Sequence, residues 1–297
     1  MKILIAPGMG DIYWVFVKLK TMLEQQGIEK ADVYLWEGAH PSRSGRSVDY
    51  VKRVPFVEYA GSYDEPPDQA FAECYQGLTT IIADYEQFDF FMCPNGVMRR
   101  GHDWLNAFLP EYEAQWQFEL TSVEEPDYRS LYGDYIVSHI SEESIYRRYW
   151  LDILTDETIY TMYRTISHRL GVKVVLTGRE WDNGINNRLM FLDAAHSMAN
   201  ESDSIFVDLS GQTSIDQFFA LIKQSKGVFG VPSGATIKSV YFKKPTFMVW
   251  SKRCFEKSGF YSSLVNPESH KKWYNWGVVE DTPPDQLAQS FCNLVEI

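Results

Sequence analysis

Apolar positions follow two alternating rhythms along the chain. Lys2 to Pro7 (KILIAP) is a short apolar run stopped by glycines, and Ile12 to Gly27 repeats apolar residues at helical spacing before closing on a glycine. The pattern predicts strand, tight turn and helix. Val33 to Trp36, Phe56 to Ala60 and Phe88 to Cys93 read as further strands, with a helix over Asp68 to Tyr85 between the last two. Residues 117–133 lose the rhythm and contain Glu124-Glu125-Pro126-Asp127, which reads as a linker. A second series follows, with strands at Asp134 to Ile140, Val172 to Thr177, Ile205 to Leu209, Gly227 to Val231 and Thr246 to Trp250. Helices at Asp156 to Leu170, Asn183 to Asn200, Ser214 to Gln224 and Ala235 to Phe242 separate them. Pro283-Pro284-Asp285 marks the start of a final helix. Short apolar strands alternating with helices imply parallel sheets covered on both faces. The expected architecture is α/β with two domains: residues 1–130, residues 131–280, and a C-terminal helix at 281–297 that packs back toward the first.

Composition narrows the class. At 297 residues and 45% hydrophobic, the chain can bury a core without disulfides or metal. Cys74, Cys93, Cys254 and Cys292 are far apart and form no CxxC pair, which disfavours a disulfide framework or structural zinc and suits a reducing cytoplasm. The opening apolar run is too short for a secretion signal, and no run approaches the roughly 18 residues of a membrane span. Net charge is −12, which argues against a broad polyanion-binding surface. The charge is unevenly spread. Residues 1–130 carry −10 and 131–222 carry −6, whereas 223–272 hold ten Lys/Arg against Glu256 and Glu268, a net of +8. This stretch either gathers positive potential around a small anionic ligand or forms a solvated basic face.

Three places carry candidate chemistry. Gly8-Met9-Gly10-Asp11 follows the first strand, where glycines let backbone approach a ligand at the carboxyl edge of a parallel sheet. Tyr13 stands where GxGxxG needs glycine, so this is not a dinucleotide fingerprint. Asp11 either caps the following helix or presents its carboxylate to a ligand. The second place is the turn Pro232-Ser233-Gly234 before Ala235, Thr236 and Lys238, where helix N–H groups and the positive dipole end suit a phosphate; a plain helix cap is the alternative. The third is Ser138-His139-Ile140-Ser141 leading to Arg147-Arg148, of which one arginine can fork onto phosphate oxygens. Tyr13, Trp14, Trp104, Trp116, Trp273 and Trp276 offer either sugar and base stacking or core packing. GxSxG, HExxH and DxD are all missing, which disfavours an α/β-hydrolase and a metal-held nucleotide-sugar site.

Taken together, ILIAPGMGDIYW, KVVLTGREWD and the run VDLSGQTSIDQFFALIKQSKGVFGVPSGATIKSVYFKKPTFMVW resemble motifs of the ADP-heptose:lipopolysaccharide heptosyltransferase family. That resemblance implies a GT-B fold, with two Rossmann-like domains facing a central cleft, and a metal-independent, inverting glycosyltransferase. The donor is then a nucleoside-diphosphate sugar, and the acceptor a saccharide or a hydroxymethylated DNA base. It further implies no cofactor, and a monomer or dimer. Asp11 matches the family's general base. Gly10, Ser233, Gly234, Ala235, Thr236 and Lys238 fall on the diphosphate side, with Arg147 or Arg148 as its basic contact. Gly178 and Glu180 fall on the nucleoside side. Two alternatives stay open: a nucleotide-sugar epimerase of the same fold, and a non-catalytic nucleotide-sugar or glycan binding module, the latter favoured by Pro232 and Ile237, which replace the family's Asp and His.

Overall fold

A computed structural model describes residues 1–6, 8–36, 44–64, 68–75, 79–94, 107–139, 156–177, 205–231, 234–252, 255–256 and 273–297. The chain divides into two compact units, Met1–Glu124 and Glu125–Ile297.

The first unit is built on β1 (Lys2–Ile5), α1 (Met9–Gln26), β2 (Ala31–Trp36), α2 (Ser44–Lys52), β3 (Val57–Tyr63), α3 (Asp68–Tyr75), β4 (Ile81–Tyr85) and β5 (Phe88–Met92). Its sheet runs β3-β2-β1-β5-β4. β1 lies at the centre, Ile3 pairing with Val33 on one side and Phe90 on the other, both in parallel. The expected helix over Asp68 to Tyr85 is corrected here: it stops at Tyr75, and β4 returns antiparallel to β5. The β-branched run Thr79-Thr80-Ile81-Ile82 favours strand over helix. A tight reversal between β4 and β5 puts Asp84 and Glu86 in the left-handed region, at φ 51° and 52°.

The second unit contains α4 (Tyr128–Tyr132), β6 (Tyr135–His139), α5 (Asp156–Leu170), β7 (Lys173–Thr177), β8 (Phe206–Asp208), α6 (Ile215–Gln224), β9 (Val228–Gly230), α7 (Gly234–Tyr241), β10 (Thr246–Trp250), β11 (Tyr274–Val278) and α8 (Pro284–Glu296). Its sheet, β11-β10-β9-β6-β7-β8, is parallel throughout. α6 begins with a capping box in which Ser214 and Gln217 satisfy each other's backbone N–H groups. β11 is an element that sequence reading overlooked. The expected helix over Asn183 to Asn200 lies outside the described residues.

Phe229 ties this unit together. It stacks on Phe247 with ring centroids 5.7 Å apart and meets Tyr163 at 5.6 Å and Phe291 at 5.4 Å, so one β9 side chain joins β10, α5 and α8. The C-terminal helix is accordingly part of the second unit. Its buried face of Leu287, Ala288, Phe291 and Cys292 lies there, and Arg169 on α5 pairs with Glu296 at 2.7 Å. The unit begins before α4 because Tyr128 N–H and Arg129 Nε both donate to Gln224 at the end of α6, at 2.8 and 2.7 Å.

β6 and β9 approach closely at their carboxyl ends, where Val231 N–H donates to the His139 carbonyl at 3.1 Å. A Cβ on Gly230 would overlap that carbonyl oxygen. Backbone on a paired strand cannot yield as a flexible side chain does. Gly230→Ala should therefore cost roughly 1–3 kcal/mol, the range for overpacking, read as a lower urea midpoint at unchanged slope.

Candidate functional site

In each unit the strand order reverses beside one strand. β1 lies between β2 and β5, and β6 between β7 and β9. At such switch points adjoining loops diverge in opposite directions, leaving a crevice outside the carboxyl ends of the strands.

In the first unit the switch point is occupied by the start of α1. Gly8 is the N-cap, with φ −66° and ψ 128° and no capping side chain. Asp11 stands in the first turn, not at the cap, which corrects one of its two expected roles. There the helix dipole stabilises negative charge. Its carboxylate folds back over Gly8, and a Cβ on Gly8 would overlap Asp11 Oδ2. Gly10 and Asp11 are both half-buried.

α1 itself is held on nearly every side. Ile12 to Leu19 are all buried. The segment after residue 107 wraps this helix: Tyr13 OH donates to the Trp116 carbonyl and Thr21 Oγ1 to that of Glu113, both at 2.8 Å. Gln115 N–H donates to the Val17 carbonyl at 2.7 Å, and Lys18 Nζ to those of Leu109 and Tyr112. Tyr13 and Trp14, at 2% and 1% exposure, are therefore packing residues here, with Trp14 edge-on to Trp116 at 6.0 Å.

In the second unit, His139 and Gly230 end the two strands flanking the switch point. His139 is buried, its Nδ1 3.1 Å from Thr177 Oγ1, and Thr177 Oγ1 donates to the Ser138 carbonyl at 2.9 Å. This is a histidine anchored in the sheet. α7 begins at Gly234 directly after β9, so its N-terminus stands at the switch point. Thr236 is buried and donates its hydroxyl to the Val231 carbonyl at 3.1 Å, closing the turn from strand to helix. Ile237 is 4% exposed.

Lys238, expected near phosphate, faces inward. It is 2% exposed, with Nζ 4.4 Å from the Tyr241 ring centroid and 5.1 Å from that of Phe219. An anion would have to enter the core to reach it. Ser233, Arg147, Arg148, Gly178, Glu180 and Trp104 lie outside the described residues.

The +8 stretch does not gather at the switch point among the described residues. Lys223 pairs with Glu125 at 3.1 Å, Lys226 with Asp134 at 2.8 Å and Lys252 with Asp281 at 3.5 Å. Lys226, Lys243 and Lys244 precede β9 and β10, at the amino edge of the sheet. Trp276 lies within β11 and stacks on Phe255 and Tyr274 at 6.4 and 5.9 Å.

No family model matches the chain, and no curated protein does. Solved structures do. The E. coli ADP-heptose lipopolysaccharide heptosyltransferase II superposes with a TM-score of 0.56 at 11% identity, covering 100% of this chain and 99% of that one. A glycosyl transferase family 9 protein from Veillonella parvula gives 0.53 at 8% identity, over 99% and 97%. A putative UDP-N-acetylglucosamine 2-epimerase from Listeria monocytogenes gives 0.51 at 8%, over 100% and 88%. The chain therefore has the GT-B fold, and its structural relatives include the family that its motifs resemble.

Burial holds the Lys238 ammonium pKa well below the usual lysine value of 10.5. Above that value both folded and unfolded chains hold a neutral amine; below it the unfolded chain takes up a proton that the buried amine resists. Stability contributed at this site thus falls as pH drops from 10.5 toward the folded pKa. Lys238→Met should flatten this slope, measured by urea denaturation between neutral pH and about 10.5 in variant and wild type.

Proposed function

We propose that this protein is a glycosyltransferase that moves a sugar from a nucleoside-diphosphate sugar to a hydroxyl acceptor. The observation that carries the reading is the pair of switch points: one bears a first-turn carboxylate, Asp11, and the other a helix N-terminus, at Gly234. A carboxylate and an anion-binding helix end are the two groups that displacement at an anomeric carbon requires.

In this reading Asp11 accepts the proton of the acceptor hydroxyl as its oxygen forms the new bond to the anomeric carbon. The bond from that carbon to the diphosphate oxygen breaks at the same time, and the configuration inverts. Charge growing on the departing diphosphate is met by backbone N–H groups of Gly234 and Ala235, by the α7 dipole and by the Ser233 hydroxyl. Arg147 or Arg148 supplies a guanidinium, while Gly178 and Glu180 hold the nucleoside, as the motif resemblance implies. The mechanism needs no metal, so transfer should survive a chelator. Acceptors are a saccharide or a hydroxymethylated DNA base, and a salt-sensitive mobility shift on modified duplexes separates them.

A thermal-shift panel of nucleoside diphosphates and their sugars tests the donor: a bound donor raises the melting temperature by mass action, and a flat panel overturns the reading. Donor consumed without acceptor would instead identify an epimerase. Asp11→Asn should lower transfer at least about 100-fold, the low end for general base catalysis, with donor binding unchanged; full activity would remove Asp11 from the mechanism. Gly8→Ala should reproduce much of that loss, since its φ suits alanine and only the Asp11 carboxylate must move.

A further inference from the structure

The second unit carries a cavity of about 580 Å³ at the amino edge of its sheet, the opposite edge from the switch point. Five cations line it, Arg129, Arg169, Lys226, Lys243 and Lys244, against one carboxylate, Glu296. They come from separate parts of the chain, from α4 and α5 and from the segments entering β9 and β10. Two are neutralised, Arg169 by Glu296 at 2.7 Å and Lys226 by Asp134 at 2.8 Å. Among the described residues no carboxylate forms an ion pair with Lys243 or Lys244, and the Asp127 carboxylate, near enough to Arg129 to feel its charge, is engaged in capping α4 through Ser130.

Like charges held this close cost energy unless something offsets them. Lys244 registers the cost, for burial and then the nearby Arg129 guanidinium hold its ammonium below the usual lysine range. Lys243 turns the chain with φ 55°, a left-handed backbone that lysine adopts at an energetic cost, between the end of α7 and β10. Trp273 completes one wall.

We propose that this cavity binds a small, multiply charged phosphate anion, of tripolyphosphate or nucleotide size, at a site separate from the donor diphosphate site at α7. Its volume falls in the range of small-ligand pockets. The Arg129 guanidinium, anchored through Nε on the Gln224 carbonyl at 2.7 Å, keeps N–H donors that match phosphate oxygens. Lys243 and Lys244 supply compact charges to the same oxygens, and an anion among the three cations removes their repulsion. A base or ribose, where present, has the Trp273 ring to lie on.

The test uses the full-length chain and titrations of tripolyphosphate, and separately ATP, at constant ionic strength, followed by calorimetry and melting temperature. The variants are Lys243→Asn/Lys244→Gln, which keeps a residue tolerant of the left-handed turn, and Arg129→Gln. Each should bind tripolyphosphate at least about tenfold more weakly, the loss expected of one charge-assisted contact, while binding nucleotide sugars as wild type does. Tighter binding of ATP than of tripolyphosphate would identify a nucleotide site, and equal binding a polyphosphate site. Unchanged affinity in both variants would place the anion elsewhere and overturn the assignment. So would equal stabilisation by sodium chloride at the same ionic strength, which would mean screening alone, or preference for duplex DNA over tripolyphosphate.

Discussion

Strand polarity is the constraint on which the rest of this structure depends. In a parallel sheet joined by right-handed crossovers, every helix returns the chain from the carboxyl edge to the amino edge. Residues that follow a strand therefore collect at one edge, and residues that precede a strand collect at the other. Asp11 follows β1 and Gly234 follows β9, so both reach a carboxyl edge where the strand order reverses. Lys226, Lys243 and Lys244 precede strands and are carried to the opposite edge. The eight-residue helix α7 spans about 12 Å at 1.5 Å per residue. Gly234 and Lys243 are close in sequence and far apart in the sheet.

That geometry explains what could be read from the chain alone. Alternating apolar runs marked most strands because parallel strands buried on both faces read as continuous hydrophobic stretches; Val174, Val175 and Leu176 of β7 are all fully buried. The capping box at Ser214 and the closing glycine at position 27 are local chemistry, and they bounded their helices well. β11 escaped because YNWGV mixes polar and apolar residues, and its glycine has a packing reason: a Cβ on Gly277 would overlap Leu287 of α8. That contact joins distant segments and leaves no local signal. β4 escaped for a different reason: its β-branched run favours strand, but its antiparallel return to β5 departs from the strand-helix alternation that the rest of the chain follows.

The candidate site was less legible than the fold. That Asp11 follows β1 is legible in the sequence, but its position in the first turn depends on Gly8 serving as the cap. Charge counting along the sequence locates a basic stretch without its edge, for a physical reason. A linear window spanning a strand, a helix and the next strand samples both edges of a sheet, and among the described residues Lys226, Lys243 and Lys244 meet at the amino edge, away from the switch point. Lys238 shows the same limit at single-residue scale. Its partners Tyr241 and Phe219 lie on α7 and α6, and only the packing of those helices turns the ammonium inward.

Ile237 bears on how such a site would work. The resembled family carries a histidine there, whereas here the position is 4% exposed and apolar. An imidazole so placed would have to bring a hydrogen-bond partner into the core or lose solvation. A buried isoleucine avoids that cost and anchors α7 more firmly. A diphosphate at the N-terminus of α7 would then be held by groups that the backbone supplies, the N–H donors of the first turn and the dipole behind them, and not by an imidazole. Such groups recognise phosphate while reading little of the rest of a ligand. Choice of sugar and base would then fall to side chains on the loops at the carboxyl edge, so isoleucine in place of histidine would alter selectivity sooner than it would remove anion binding.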